Sequence, residues 1–206
     1  MNFPLLLTAS RLVLAIVVGT LLVLEDAIPF HVSIAAACFI VASLTDFFDG
    51  RLARKWNQAT PLGAFLDPLA DKLLVYLAFI YLTTVLIYPV WLLLILFGRD
   101  MAVDGLRAFS VGKGVAMPAN LIGKWKSFLQ MGSIALLLAL VSVTEVQRLT
   151  SWGNEALTWV LTSTGYEVAF GATYWLMLAA AAVGLVSMVQ YFVESAPKLF
   201  RSSSHA

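Results

Sequence analysis

The chain has 206 residues, of which 61% are hydrophobic and 12% charged, with a formal net charge of +1. An ordinary soluble domain is about half apolar and about a quarter charged, so composition excludes that class and points to a membrane protein. The near-neutral balance gives no sign of a nucleic-acid partner, and a single cysteine, Cys38, rules out an intramolecular disulfide.

Six apolar runs can be drawn, at roughly 5–24, 30–53, 66–87, 89–110, 121–143 and 172–193. Each is close to the ~20 residues a spanning helix needs, and none shows the short alternating pattern of a barrel strand. The expected fold is all-α integral membrane: a six-transmembrane-helix bundle forming one domain over residues 1–206. Polar and turn-forming clusters set the limits of the runs: Glu25-Asp26 with Pro29, Asn57 to Pro61, Tyr88-Pro89, Gly112 to Pro118, and the long segment 144–171. Six spans return the chain to its starting side. Most Lys and Arg residues then fall on the face that holds the termini and the second-to-third and fourth-to-fifth connections, with Glu25, Asp26, Glu145, Glu155 and Glu167 opposite. The positive-inside rule makes the basic face and both termini cytoplasmic.

The first run opens N-F-P-L-L-L-T-A-S-R, which sets Thr8 and Arg11 one turn apart. Arg11 lies inside the run, and no small-residue cleavage pattern closes it, so a retained N-terminus is expected. The second run leads into D-F-F-D-G-R-L-A-R-K-W-N-Q-A-T-P-L-G-A-F-L-D-P-L-A-D, which holds Asp46, Asp49, Asp67 and Asp71 in an otherwise apolar chain. An Asp at a helix centre costs about 3 kcal/mol on insertion scales, so four would cost on the order of 10 kcal/mol unless they meet water or a cation. On a helix, Asp46 and Asp49 lie about 60° apart on one face, where Gly50 and Ala53 leave room for a ligand. Asp67 and Asp71 lie about 40° apart on the next helix, with Gly63 one turn earlier. A short polar connection makes these helices plausible antiparallel neighbours with the two pairs facing each other. Four convergent carboxylates form an all-oxygen site for hard divalent cations, Mg²⁺ or Mn²⁺, and no Cys or His stands at ligand spacing for zinc. The structural alternative is an interfacial salt-bridge network with Arg51, Arg54, Lys55 and Lys72.

Arg99, in F-G-R-D, falls about ten residues into the fourth run, where a cation needs an internal partner or an anionic ligand. Asp100 and Asp104 are available partners. Arg107 follows in D-G-L-R-A-F, and Lys124 and Lys126 in I-G-K-W-K. Segment 144–171, with Trp152, Trp159 and Tyr166 among Ser, Thr and Gly, reads as a partly helical excursion along the outer interface. The carboxylate motif has no counterpart in the second half. A divalent-cation transporter would instead place polar groups near the bilayer midplane, on discontinuous helices of repeated halves.

The pattern D-x2-D-G-x2-A-R-x8-G-x3-D-x3-D, met by Asp46, Asp49, Gly50, Ala53, Arg54, Gly63, Asp67 and Asp71, resembles the signature of the CDP-alcohol phosphotransferases at every fixed position. The resemblance implies six transmembrane helices, a homodimer and an active site open to the cytoplasm. The reaction it implies is attack by an alcohol on the β-phosphorus of a CDP-linked lipid, with CMP leaving. It implies two divalent cations on Asp46, Asp49, Asp67 and Asp71, with Asp71 also the general base. A CDP pocket lined by Gly50, Ala53 and Arg54, together with Asp46, Asp49, Gly63 and Asp67, completes the implied site. The segments carrying Thr8, Arg11, Arg99, Arg107, Lys124 and Lys126 are similar to the T-x-x-R, G-R-E and G-K-x-K elements of the phosphatidylglycerophosphate synthase branch, over most of residues 1–135. That branch implies CDP-diacylglycerol as donor, sn-glycerol 3-phosphate as acceptor held through its phosphate by those six residues, and a bacterial cytoplasmic membrane as location. Asp100 departs from the usual Glu, and Leu5 from a frequent Asn. The alternative within the same chemistry is another acceptor, serine or inositol phosphate.

Overall fold

The computed structural model describes residues 3–24, 28–56, 61–85, 87–113, 120–150 and 164–202, and within them the side chains except at 3–7, 46–56, 61–65, 67, 147–148, 150, 164–166 and 195–202. The regular structure among the described residues is all helical: α1 Phe3–Val23, α2 His31–Trp56, α3 Pro61–Thr84, α4 Val90–Gly112, α5 Leu121–Thr150 and α6 Thr164–Ser202. Each expected apolar run thus has its helix, but several helices outlast their apolar limits. α3 begins at Pro61 rather than near 66, because a proline at the first helical position loses no intrahelical bond and is already set at helical φ. α5 runs on to Thr150 and α6 starts at Thr164, so both ends of the expected interfacial excursion are continuations of helices. Trp152 and Trp159 lie outside the described residues, as does the Tyr166 side chain. Polarity marks where an apolar environment ends, whereas a helix continues for as long as its backbone bonds close.

Leu121–Val146 and Glu167–Glu194 are long and apolar enough to cross a membrane, and Thr8–Val23 and His31–Thr45 are shorter apolar helical stretches. Large apolar side chains stand exposed along the helices, among them Val13 and Ile16 of α1, Leu94 and Phe97 of α4, Phe128 of α5 and Trp175 of α6. In water such continuous apolar surface is a liability, and in lipid it is the expected exterior. Hydroxyls behave accordingly. Thr20, Thr45, Ser110 and Ser127 each donate to the carbonyl four residues back in their own helix, which leaves no polar group for lipid to solvate.

The chain divides into two compact units, Met1–Ile87 with Ser133–Thr173, and Tyr88–Gly132 with Tyr174–Ala206. In the first, α1 packs along α3 and α2. α1 buries one stripe, Thr8, Arg11, Ala15, Val18 and Leu22, at the alternating spacing of three and four residues that keeps side chains on one helix face. α3 contributes Ala70, Leu74, Ala78 and Leu82 to the same core. The helices come so close that a Cβ at Gly19 would sit 2.9 Å from Leu77 Cδ1.

The start of α2 is completed from another helix. Phe30, with φ 61°, occupies the N-cap position and accepts from the Ile34 amide, but its side chain offers no acceptor for the first-turn N–H groups. Glu145 of α5 fills that role, accepting from the Val32 amide at 3.0 Å and the Ser33 amide at 2.8 Å. It also accepts from the Ser33 hydroxyl at 2.6 Å and lies 3.1 Å from His31 Nδ1. A carboxylate at a helix N-terminus is also favoured by the helix dipole.

In the second unit, α4 buries Leu92, Leu96, Arg99 and Val103 on one face. α6 buries Met177, Ala180, Gly184, Ser187 and Tyr191 at the same three-and-four spacing. Asn120 caps α5, accepting from the Ile122 amide at 3.0 Å, and is itself held by α6. Its side-chain amide donates to Gln190 and its backbone N–H to the Tyr191 hydroxyl, both at 2.7 Å.

Replacing Glu145 by Ala is expected to cost about 2–3 kcal/mol, since buried amides lose a charged acceptor, and Glu145→Gln about 1 kcal/mol. Thermal unfolding of the purified protein in detergent checks this. Unchanged melting of Glu145→Ala would contradict the cap.

Candidate active site

In the first unit, α2 is unbroken through Asp46, Asp49, Gly50, Ala53 and Arg54, and α3 is unbroken through Gly63, Asp67 and Asp71. The helical premise behind the two carboxylate pairs therefore holds: each pair lies one turn apart on its helix. The side chains of Asp46, Asp49, Ala53, Arg54 and Asp67 lie outside the described residues, as does the side-chain space around Gly50 and Gly63. Pro68 sits inside α3 between Asp67 and Asp71. It has no N–H to give the Ala64 carbonyl, so the turn that leads into the carboxylate pair, from Ala64 to Pro68, lacks one helical bond.

Asp71 is the described member of the quartet. Arg11 of α1 donates from Nη1 to its Oδ1 at 2.9 Å; the arginine side chain is 3% exposed and the aspartate 37%. The stripe that packs α1 against its neighbours is what delivers this guanidinium, because Arg11 follows Thr8 by three residues and precedes Ala15 by four. Thr8, one turn before Arg11, is buried as well. Apolar packing at the far end of α1 and charge pairing at the near end are thus one face of one helix.

The donor set of the quartet fits a hard divalent ion. Four carboxylates, two per helix at one-turn spacing, supply only oxygen ligands. Among the described residues no group of three or more His, Cys, Asp or Glu could hold a metal.

The second unit contains a buried charged cluster centred on Arg99. Its Nη1 donates to Asp100 Oδ1 at 2.8 Å, and Lys126 Nζ of α5 donates to the other carboxylate oxygen at 2.6 Å. The remaining contacts come from α6: Arg99 Nε donates to the Gly184 carbonyl at 3.0 Å and Nη2 to the Ser187 hydroxyl at 2.9 Å. Lys126 and Ser187 are almost completely buried. Charge-assisted hydrogen bonds of this kind are roughly twice as strong as neutral ones, and they make a deep cation tolerable.

The expected anion-binding residues are therefore not equivalent. Arg99 and Lys126 are brought together by a shared Asp100. Lys124, two residues from Lys126 and so on the far side of the helix, is exposed. Arg107 is exposed too, and its Nη2 donates to the Tyr191 hydroxyl at 3.1 Å with the guanidinium 5.8 Å from that ring's centre. Asp100, the departure from the usual Glu, still reaches both cations. Sequence reasoning missed Gly184, Ser187 and Tyr191, whose spacing of three and four residues along an apolar helix was the available signal. It also missed Glu145 as the partner of α2.

Comparison with known proteins gives a consistent picture. A CDP-diacylglycerol–glycerol-3-phosphate 3-phosphatidyltransferase of Cereibacter sphaeroides is 33% identical over 219 residues, covering 96% of this chain and 97% of that protein. The protein of that name in Escherichia coli K12 is 39% identical over 143 residues, 66% of this chain and 76% of its own length. One in Bacillus subtilis is 43% identical over 120 residues, 58% of this chain and 62% of its own, so this match spans less than two thirds of the Bacillus protein. The CDP-alcohol phosphatidyltransferase family profile matches residues 1–186, a range that takes in the whole carboxylate motif, Arg11, Arg99, Lys126 and Gly184. The chain belongs to the CDP-alcohol phosphatidyltransferase family.

Proposed function

We propose that this protein transfers the phosphatidyl group of CDP-diacylglycerol to sn-glycerol 3-phosphate, giving phosphatidylglycerophosphate and CMP. The observation that carries this reading is the end-to-end likeness to a relative named for that reaction, with 96% of this chain aligned. In the proposed arrangement the whole chain acts as one domain of six membrane-spanning helices. Its termini and active site face the cytoplasm across a bacterial inner membrane, and two copies form a homodimer. The basic residues clustered at one end of the spans support that orientation.

Asp46, Asp49, Asp67 and Asp71 are the proposed ligands of two divalent cations, Mg²⁺ or Mn²⁺. Divalent-metal dependence is general in the family, and bound cations would neutralise charge on the donor pyrophosphate. Gly50 and Ala53 leave space on the α2 face for the CDP moiety, and Arg54 supplies a fork of donors for its phosphates, beside Asp46, Asp49, Gly63 and Asp67. Asp71 takes the proton from the acceptor hydroxyl. The hydroxyl oxygen then attacks the phosphorus that bears the diacylglycerol, and the bond from that phosphorus to CMP breaks with its electron pair leaving on CMP. Arg11, bonded to Asp71 Oδ1, sets the orientation of that carboxylate.

Thr8, Arg11, Arg99, Arg107, Lys124 and Lys126 are the proposed acceptor-phosphate residues. Arg99 and Lys126 are the principal donors of the second unit, because both are buried and held in fixed positions. Lys124 and Arg107, being exposed, act through their charge.

Two outcomes test this reading. Purified protein in detergent with CDP-diacylglycerol and Mg²⁺ or Mn²⁺ is expected to release CMP when glycerol 3-phosphate is added, and not with serine or inositol phosphate. Turnover with either of those and none with glycerol 3-phosphate would show the acceptor assignment to be wrong. Asp71→Asn is expected to lower kcat by at least about a hundredfold with the fold retained, the usual scale of a lost general base. A kcat within tenfold of wild type would remove Asp71 from that role.

A further inference from the structure

We infer that the last helix belongs to the acceptor machinery: Ser187 and the backbone carbonyl of Gly184 are positioning groups that aim the Arg99 guanidinium at the phosphate of glycerol 3-phosphate. The inference rests on the proposed acceptor role of Arg99.

The guanidinium is a planar fork with five N–H groups. Nε and Nη2 share one edge of that fork, and α6 takes that edge with two acceptors three residues apart, the Gly184 carbonyl at 3.0 Å and the Ser187 hydroxyl at 2.9 Å. Asp100 takes Nη1 from its own helix. Three contacts from two directions fix both the position and the plane of the group. Each Nη retains a second N–H, so the fork keeps two donors for an anion after its structural bonds are made. A guanidinium with its plane fixed in advance loses less freedom on binding a phosphate than a flexible one, and so binds it more tightly.

The absence of a side chain at residue 184 is part of the device. A Cβ there would lie 3.2 Å from Lys126 Cγ and 3.7 Å from Arg99 Cδ, so the stems of both cations cross α6 at this point. Ser187 follows one turn later with its side chain fully buried. One stretch of α6 therefore bounds both buried cations of the cluster, and the side chain it bonds to Arg99 is a hydroxyl.

The test separates positioning from packing. Ser187→Ala and Ser187→Thr are purified, CMP release is followed against each substrate, and glycerol 3-phosphate binding is measured directly by calorimetry. Ser187→Ala is expected to raise KM and Kd for glycerol 3-phosphate about five- to tenfold, the scale of one lost hydrogen bond of ordinary net strength. KM for CDP-diacylglycerol and kcat are expected to stay within about twofold, the signature of lost ground-state binding of one substrate. Ser187→Thr, which keeps the hydroxyl, is expected to recover acceptor affinity. Unchanged KM and Kd for glycerol 3-phosphate overturn the inference, as does an equal rise for both substrates or a loss confined to thermal stability. Should Ser187→Ala fail to fold, Gly184→Ala carries the test. It retains both hydrogen-bonding groups but crowds Lys126, and the absence of a selective rise for the acceptor overturns the inference. If wild type itself does not use glycerol 3-phosphate, the proposed function fails; if it does and Ser187→Ala matches it, only the role of α6 fails.

Discussion

An arginine buried among apolar helices must satisfy its N–H groups from inside the protein, and the way Arg99 does so governs how α4, α5 and α6 can meet. Its side chain is 9% exposed, and its three hydrogen bonds run to its own helix and to α6. A cation at such a depth without partners would cost several kcal/mol, so the partners are conditions for folding. Asp100 extends the constraint to α5 through Lys126. α6 must present a carbonyl and a hydroxyl where the guanidinium ends, and must have no side chain where the two stems cross. Glycine and serine three residues apart meet both demands.

The same economy appears in the first unit. α1 has one buried stripe, and the stripe changes chemistry along its length: Leu22, Val18 and Ala15 pack, while Arg11 and Thr8 are polar. The helix that stabilises α3 by packing also orients Asp71 by an ion pair. At the opposite end of α2, Glu145 closes the first turn of the helix whose last turns carry Asp46 and Asp49. α2 is thus anchored by a charge at its start and carries charge at its finish, with an apolar body between. For the proposed phosphatidyl transfer, such a division would let the reacting groups meet water while the helix bodies stay in lipid.

Much of this was legible in the sequence because membrane helices and carboxylate spacing obey simple geometry. Every apolar run became a helix, and the D-x2-D and D-x3-D pairs fall on unbroken helical backbone as their spacing requires. Helix ends were less legible. Asn57 to Pro61 looked like a boundary on both sides, yet Pro61 starts a helix, and the polar residues after 143 and before 172 continue α5 and α6. Partner choice was the least legible. Nothing local to Glu145 points to the amides of Val32 and Ser33, more than a hundred positions away, because that contact exists only once the helices are packed. Lys124 and Lys126 looked like a pair in I-G-K-W-K, but two residues on a helix turn to opposite sides, and only Lys126 joins Arg99.

In the proposed function the aspartates of α2 and α3 form one site for divalent cations that serve phosphatidyl transfer. Binding of Mn²⁺ to the purified protein, followed by electron paramagnetic resonance in the presence of CMP, tests it without reference to turnover. Two bound Mn²⁺ per chain are expected in wild type, and at most one in both Asp46→Asn and Asp67→Asn, each on a different helix. Two Mn²⁺ per chain in both variants, or none in wild type, would contradict it.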